Sequence, residues 1–276
     1  MALTTILVHV EANPMTDPRL ELAIDLANQF DARLIGIGAE HFRTAYYGDD
    51  VSAAYFVAAD MEAVEADLNR AEEKFRLAAA AVRQGCDWRA SKRFPLGEVA
   101  AEARAADLVV TSRGEWARGT DYKVAIPGVL ILQAGRPVLV APPDTAHLKL
   151  ASVVVAWKDT REARRAVADS LPLLQKAETV HLIEICGSKA GVPAATSRLA
   201  DVADYLVRHG VKSTAYAEVE EKGASAVDQL LDFAARKHAD LIVAGAYGHS
   251  RFQEWVFGGF TKALLTQTAR AVLFSH

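Results

Sequence analysis

Ala239-Asp240-Leu241-Ile242-Val243-Ala244-Gly245-Ala246-Tyr247-Gly248 repeats, with changes, an earlier stretch of the same chain, Ala106-Asp107-Leu108-Val109-Val110-Thr111-Ser112-Arg113-Gly114. About twenty residues later each copy reaches a second matched segment, Gln133-Ala134-Gly135-Arg136-Pro137-Val138-Leu139-Val140 and Gln267-Thr268-Ala269-Arg270-Ala271-Val272-Leu273-Phe274. Repeats of this length denote two copies of one domain rather than a solenoid of small units. Only the later copy carries the glycines. It reads Gly245, Gly248, nine residues, then Gly258-Gly259, where the earlier copy has Ser112, Glu115, Val124 and Ala125. A fold common to both copies therefore does not demand those glycines, and they point to a ligand held by one half.

Outward from these segments the two copies keep step. Each opens on a short apolar run, Ile6-Leu7-Val8-His9-Val10 and Val153-Val154-Val155-Ala156-Trp157, too short for a helix and β-branched as buried strands are. Helical spacing follows at Leu20, Ala23, Ile24 and Ala27, and at Ala163, Val167, Ser170, Leu171 and Leu174. Asp159 and Thr160 are candidate N-caps of the second of these helices, and Pro172 is expected to bend it. Strands are expected at 33–38 and 179–185, then a helix striped by Val64, Leu68, Ala71, Phe75, Ala78 and Val82. Strands at 86–93 and 211–219, helices at 95–105 and 224–238, and the strands 108–111 and 241–244 complete the alternation. Such an order implies an α/β fold with parallel sheets covered by helices on both faces. The Pro142-Pro143 pair marks the boundary between domains 1–146 and 147–276. Residues 42–59, with Tyr46, Tyr47, Tyr55 and Phe56, read as an insertion in the first copy, a packing or dimerisation flap or else a ligand lid.

A chain of 276 residues suits two domains, each large enough for its own core. Its net charge of −4 argues against nucleic acid or an anionic membrane as partner. No apolar stretch approaches the roughly 18 residues that cross a bilayer, and the sequence starts with no basic leader. Cys86 and Cys186 have neither CxxC nor metal spacing and read as reduced thiols, which places the protein in the cytoplasm.

In an open parallel sheet, ligands sit outside the carboxyl ends of the strands where the winding reverses. The loops at that place are Trp157-Lys158-Asp159-Thr160 and 245–259. Gly245 and Gly248 can take positive φ and bare their N–H groups to an anion. Gly258-Gly259 precedes the helical run Phe260-Thr261-Lys262-Ala263-Leu264-Leu265, whose amino-terminal amides favour a phosphate.

The residues Ala239 to Arg251 followed by Gly258-Gly259-Phe260-Thr261 resemble the universal stress protein signature of Gly, two residues, Gly, nine residues, Gly, then Ser or Thr. The resemblance spans the chain as a tandem of two such domains. It implies two open parallel-sheet domains of the Rossmann-like, adenine nucleotide alpha hydrolase-like kind, packed as a pseudo-dimer through terminal strands at 137–141 and 271–275. It also implies binding of ATP or AMP, with or without Mg, in the copy that keeps the signature. The nucleotide-binding set is then Trp157, Lys158, Asp159, Gly245, Tyr247, Gly248, His249, Arg251, Gly258, Gly259, Phe260 and Thr261. The amino-terminal copy becomes a degenerate partner. The molecule is expected to be a homodimer or a pseudo-dimeric monomer.

Two positions depart from the family pattern. Gly259 stands where Ser or Thr follows the third glycine, so a hydroxyl to phosphate comes from Thr261 or is missing. Lys158 stands where the family usually has Asp after the first strand, and reaches a phosphate or pairs with Asp159. Trp157 stacks on a base or belongs to the core; His249 and Arg251 contact phosphates or stay solvated; Tyr247 covers the loop. His9, Glu11, Glu40 and His41 fall near two strand ends, but their spacing matches no ligand motif and no metal is assigned. No nucleophile elbow, HExxH, Walker A or kinase loop is present, so no catalytic residue is assigned and slow ATP hydrolysis or autophosphorylation is the most the residues allow. The alternative is a nucleotide-free dimeric interaction or scaffold protein.

Overall fold

The computed structural model describes residues 2–12, 17–41, 50–113, 127–246 and 259–276. The chain divides into an amino-terminal unit, Leu3–Ala134 with Pro143–His147, and a carboxy-terminal unit, Met1–Ala2 and Gly135–Pro142 with Leu148–His276.

In the amino-terminal unit the strands are β1 (Thr5–His9), β2 (Arg33–Ala39), β3 (Cys86–Ser91) and β4 (Leu108–Ser112), and the helices α1 (Pro18–Phe30), α2 (Asp50–Ala79), α3 (Pro95–Glu102) and α4 (Pro127–Gln133). The strands lie in the order β3-β2-β1-β4, all parallel. The chain moves outward from β1 to β2 and β3, then returns to the other flank of β1, so the winding reverses between β1 and β4. Helix α1 starts where Asp17 accepts a hydrogen bond from the Leu20 N–H at 3.3 Å, with Pro18 in the first turn. It stops where Asp31 turns left-handed at φ 51°. The stripe expected of α2 is buried at Val64, Leu68, Ala71, Phe75 and Val82, the last just past the helix end, while Ala79 takes the place of Ala78. Residues 50–59, expected to belong to an insertion, form the first turns of this helix; residues 42–49 lie outside the described residues.

The carboxy-terminal unit contains β5 (Val138–Ala141), β6 (Ser152–Ala156), β7 (Thr179–Cys186), β8 (Thr214–Val219), β9 (Leu241–Gly245) and β10 (Ala271–Ser275), with α5 (Arg161–Lys176), α6 (Val192–Arg208), α7 (Ala226–Arg236) and α8 (Gly259–Gln267). The order is β5-β10-β9-β6-β7-β8, and the winding reverses between β6 and β9. All neighbours are parallel except β5 and β10, which pair antiparallel with Leu139 opposite Leu273. The terminal strand of the first repeat thus joins the terminal strand of the second, as the resemblance implies. Thr160 caps α5 by accepting from the Ala163 N–H, and the helix runs on through Pro172 to Lys176. A reciprocal capping box between Ser225 and Asp228 opens α7.

The aspartate in the repeated segment has the same work in both units. Asp107, just before β4, accepts from the N–H groups of Thr4 and Thr5 at 2.8 and 3.0 Å and from the Thr4 hydroxyl at 2.7 Å. Asp240, just before β9, accepts from the N–H groups of Ala151 and Ser152 at 2.7 and 3.1 Å. Each carboxylate ties the start of one strand to the start of its neighbour across the reversal point. Asp240→Ala leaves two part-buried amides without these acceptors and is expected to lower stability by about 1–2 kcal/mol, measured by urea denaturation. An unchanged denaturation midpoint would show that the clamp is dispensable.

Candidate functional site

The carboxyl edge of the carboxy-terminal sheet is assembled from the ends of β6, β7, β9 and β10 and the starts of α5 and α8. Trp157 directly follows β6. Its N–H donates to the Ile183 carbonyl at 2.8 Å, its ring is 8% exposed, and its indole Nε1–H has no acceptor among the described residues. Burial favours the core role over open stacking on a base. Lys158 is exposed and forms no ion pair among the described residues. It does not pair with Asp159, whose carboxylate accepts from Arg164 Nε and Nη2 at 3.2 and 2.7 Å. At the end of β7, Arg198 grips both oxygens of Glu184. Burial, together with that carboxylate, pushes the nearby Cys186 thiol up from its ordinary pKa, so the thiolate is disfavoured. Cys86 and Cys186 are both free.

The two described glycines of the signature have different roles. Gly245 ends β9 opposite Ser275 and is not among the residues with positive φ. An added Cβ there would stand 2.5 Å from Ala163 N and 2.6 Å from Glu162 C. The reason for glycine is close approach of the first turn of α5, not the expected positive φ. Gly259 is the first residue of α8, and among the described residues an added Cβ would meet nothing within 4 Å. Phe260 is exposed beside it. Thr261, in the first turn of α8, is 2% exposed. Tyr247, Gly248, His249, Arg251 and Gly258 lie outside the described residues.

The same edge of the amino-terminal unit holds ions instead. Arg19, 7% exposed in the first turn of α1, reaches Glu11 at 3.1 Å and Asp17 at 3.3 Å, and Lys74 of α2 reaches Asp17 at 3.3 Å. Burial opposes the charge on Asp17, yet Arg19 and Lys74 hold its carboxyl below the ordinary range. His9 ends β1 at 2% exposure, with Nδ1 at 3.8 Å from Glu11. Burial and then the Arg19 charge lower its pKa to about 4, against the opposing pull of Glu11 and Asp17. Sequence spacing had grouped His9 and Glu11 with Glu40 and His41. It gave no sign of Arg19 or Lys74, whose sequence distance hides their contact with the cluster. Among the described residues, no three His, Cys, Asp or Glu side chains are placed to hold a metal ion.

The sequence matches no protein-family model and no curated protein. Its structure, however, is similar over nearly the whole chain to a universal stress protein from Archaeoglobus fulgidus, at 13% identity and a TM-score of 0.67, covering 98% of this chain and 95% of that one. A protein of unknown function from Pseudomonas aeruginosa is similar at 16% identity and a TM-score of 0.62, covering 99% and 92%. A proposed universal stress protein from the same species is similar at 16% identity and a TM-score of 0.63, covering 99% and 93%. The fold is that of the universal stress proteins, with both repeats present.

The glycine assignment predicts that Gly245→Ala costs about 1–3 kcal/mol, because the colliding atoms are backbone, whereas Gly259→Ala stays within about 0.5 kcal/mol of the parent. Thermal melting of the pair checks this, and equal losses would refute it. A pH dependence follows from His9. The unfolded chain takes up this proton near the ordinary value of about 6.5 while the folded chain resists it until about 4. The His9 contribution is therefore intact above about 6.5 and declines as pH falls toward 4, by about 1 kcal/mol per pH unit. In urea titrations His9→Leu is expected to flatten that decline. An identical slope in the variant would assign it to another group.

Proposed function

We propose that this chain is a tandem universal stress protein of the cytoplasm, whose carboxy-terminal domain, residues 147–276, binds ATP or a related adenine nucleotide in a regulatory role. Residues 1–146 form its partner domain, in which that nucleotide site is lost. The observation that carries this reading is the amino end of α8. Among the described residues, nothing lies where a side chain of Gly259 would be, and Lys158, which pairs with none of them, lies on the loop after β6 at the same carboxyl edge of the unit. Free amides of a helix start, a mobile cation and a missing Cβ are what a phosphate chain needs. The remaining signature glycines, Gly248 and Gly258, belong to the same proposed cradle on sequence grounds.

Binding without efficient turnover fits the groups at this edge. Asp159 is held by Arg164 and Glu184 by Arg198, so neither is a carboxylate waiting to act as a base. The cytoplasmic placement agrees with two free thiols.

Calorimetric titration with ATP and AMP tests the reading. One site per chain is expected, lost in Gly248→Val and Gly258→Val and weakened about tenfold in Lys158→Ala, the loss of one charge-assisted contact. No heat from the parent protein at millimolar nucleotide, with native mass spectrometry showing a stable dimer free of adduct, would favour the nucleotide-free scaffold instead.

A further inference from the structure

The reversal point of the amino-terminal unit differs from its sister position by position. Aligning the β1–β4 pair Val8 and Val110 with the β6–β9 pair Val155 and Val243 sets His9 against Ala156, Thr111 against Ala244 and Arg113 against Ala246. Three alanines of one unit are thus three hydrogen-bonding side chains in the other. His9 and Thr111 each stand one residue beyond the paired valines, so they are neighbours across β1 and β4, and both are buried. Arg113 directly follows β4, two residues after Thr111.

Charge isolates Arg113. Arg19 is paired with Glu11 and Asp17, and Lys74 with Asp17. Arg113 forms no ion pair among the described residues, and its buried Nε–H has no acceptor there. Burial is what acts on its guanidinium, lowering the pKa from its ordinary value. A buried cationic N–H without an acceptor is costly, and the Arg19 Nε likewise has none among the described residues. An oxyanion would satisfy such groups, since a guanidinium fork matches two of its oxygens.

We propose that the amino-terminal unit binds a small oxyanion, a phosphate or a carboxylate group, at the carboxyl ends of β1 and β4, with Arg113 as its ion-pairing group and His9 as a neighbouring hydrogen-bonding group. This site uses side chains, where the site proposed for the other unit uses backbone amides, and the two stand or fall separately.

Calorimetry on the full chain with inorganic phosphate and with acetate tests the proposal, the two probes separating the two sources of the oxyanion. One of them is expected to bind. Arg113→Ala, which installs the sister residue, weakens that binding about tenfold or more, as loss of a charge-assisted hydrogen bond does, and Arg113→Lys keeps part of it. ATP binding stays unchanged in both variants. The proposal is overturned if neither probe binds at millimolar concentration, if Arg113→Ala binds like the parent, or if ATP displaces the probe. Should Arg113→Ala fail to fold, Arg113→Gln, which removes the charge and keeps the length, carries the same comparison.

Discussion

Two part-buried carboxylates, Asp107 and Asp240, fix the strand pair on which each unit is organised. Each accepts hydrogen bonds from the opening amides of the neighbouring strand, so β1 and β4, and likewise β6 and β9, begin level with one another. Strands that begin level and have matched lengths also end level. The carboxyl edge, where the chain reverses its winding and leaves the crevice, is therefore set from the opposite end of the sheet. Every group discussed at that edge inherits its place from this register.

On that common frame the two units diverge in the kind of chemistry at their edges. The carboxy-terminal unit has small residues there, with Gly245 letting α5 come close and Gly259, among the described residues, leaving space at the start of α8. The amino-terminal unit has filled the corresponding ground with Arg19, Glu11, Asp17 and Lys74, locked together at 3.1–3.3 Å. Buried ion sets of this kind contribute little net stability once desolvation is counted, but removing one member strands the others. The contrast suits a duplicated domain whose halves are held to one architecture by packing and are otherwise free to differ at the edge.

Much of the architecture was legible because it is local. Apolar runs, the α2 stripe, the cap at Thr160 and the duplicated segments all announce themselves within a few residues. What was illegible depends on distant partners. Gly245 looked like a residue chosen for its own φ, whereas the decisive neighbour is the backbone of Ala163, some eighty residues earlier in the chain. Lys158 beside Asp159 suggested a pair, but Arg164 lies one helical turn on and captures the carboxylate. Residues 50–59 read as an insertion because the second copy has no counterpart to their aromatic run, Tyr55-Phe56, yet they open α2.

The antiparallel contact of β5 with β10 means that the second repeat is completed by a strand encoded in the first. A cut at the proline boundary, the obvious place to separate the halves, would strip that strand from its sheet and lay bare the hydrogen-bonding edge of β10, a surface prone to recruit foreign strands. During synthesis, residues 138–141 emerge well before their partner exists and must wait through more than a hundred further residues for it. The duplication is thus bound by more than a tether: its earlier half supplies a part without which the later one is unfinished.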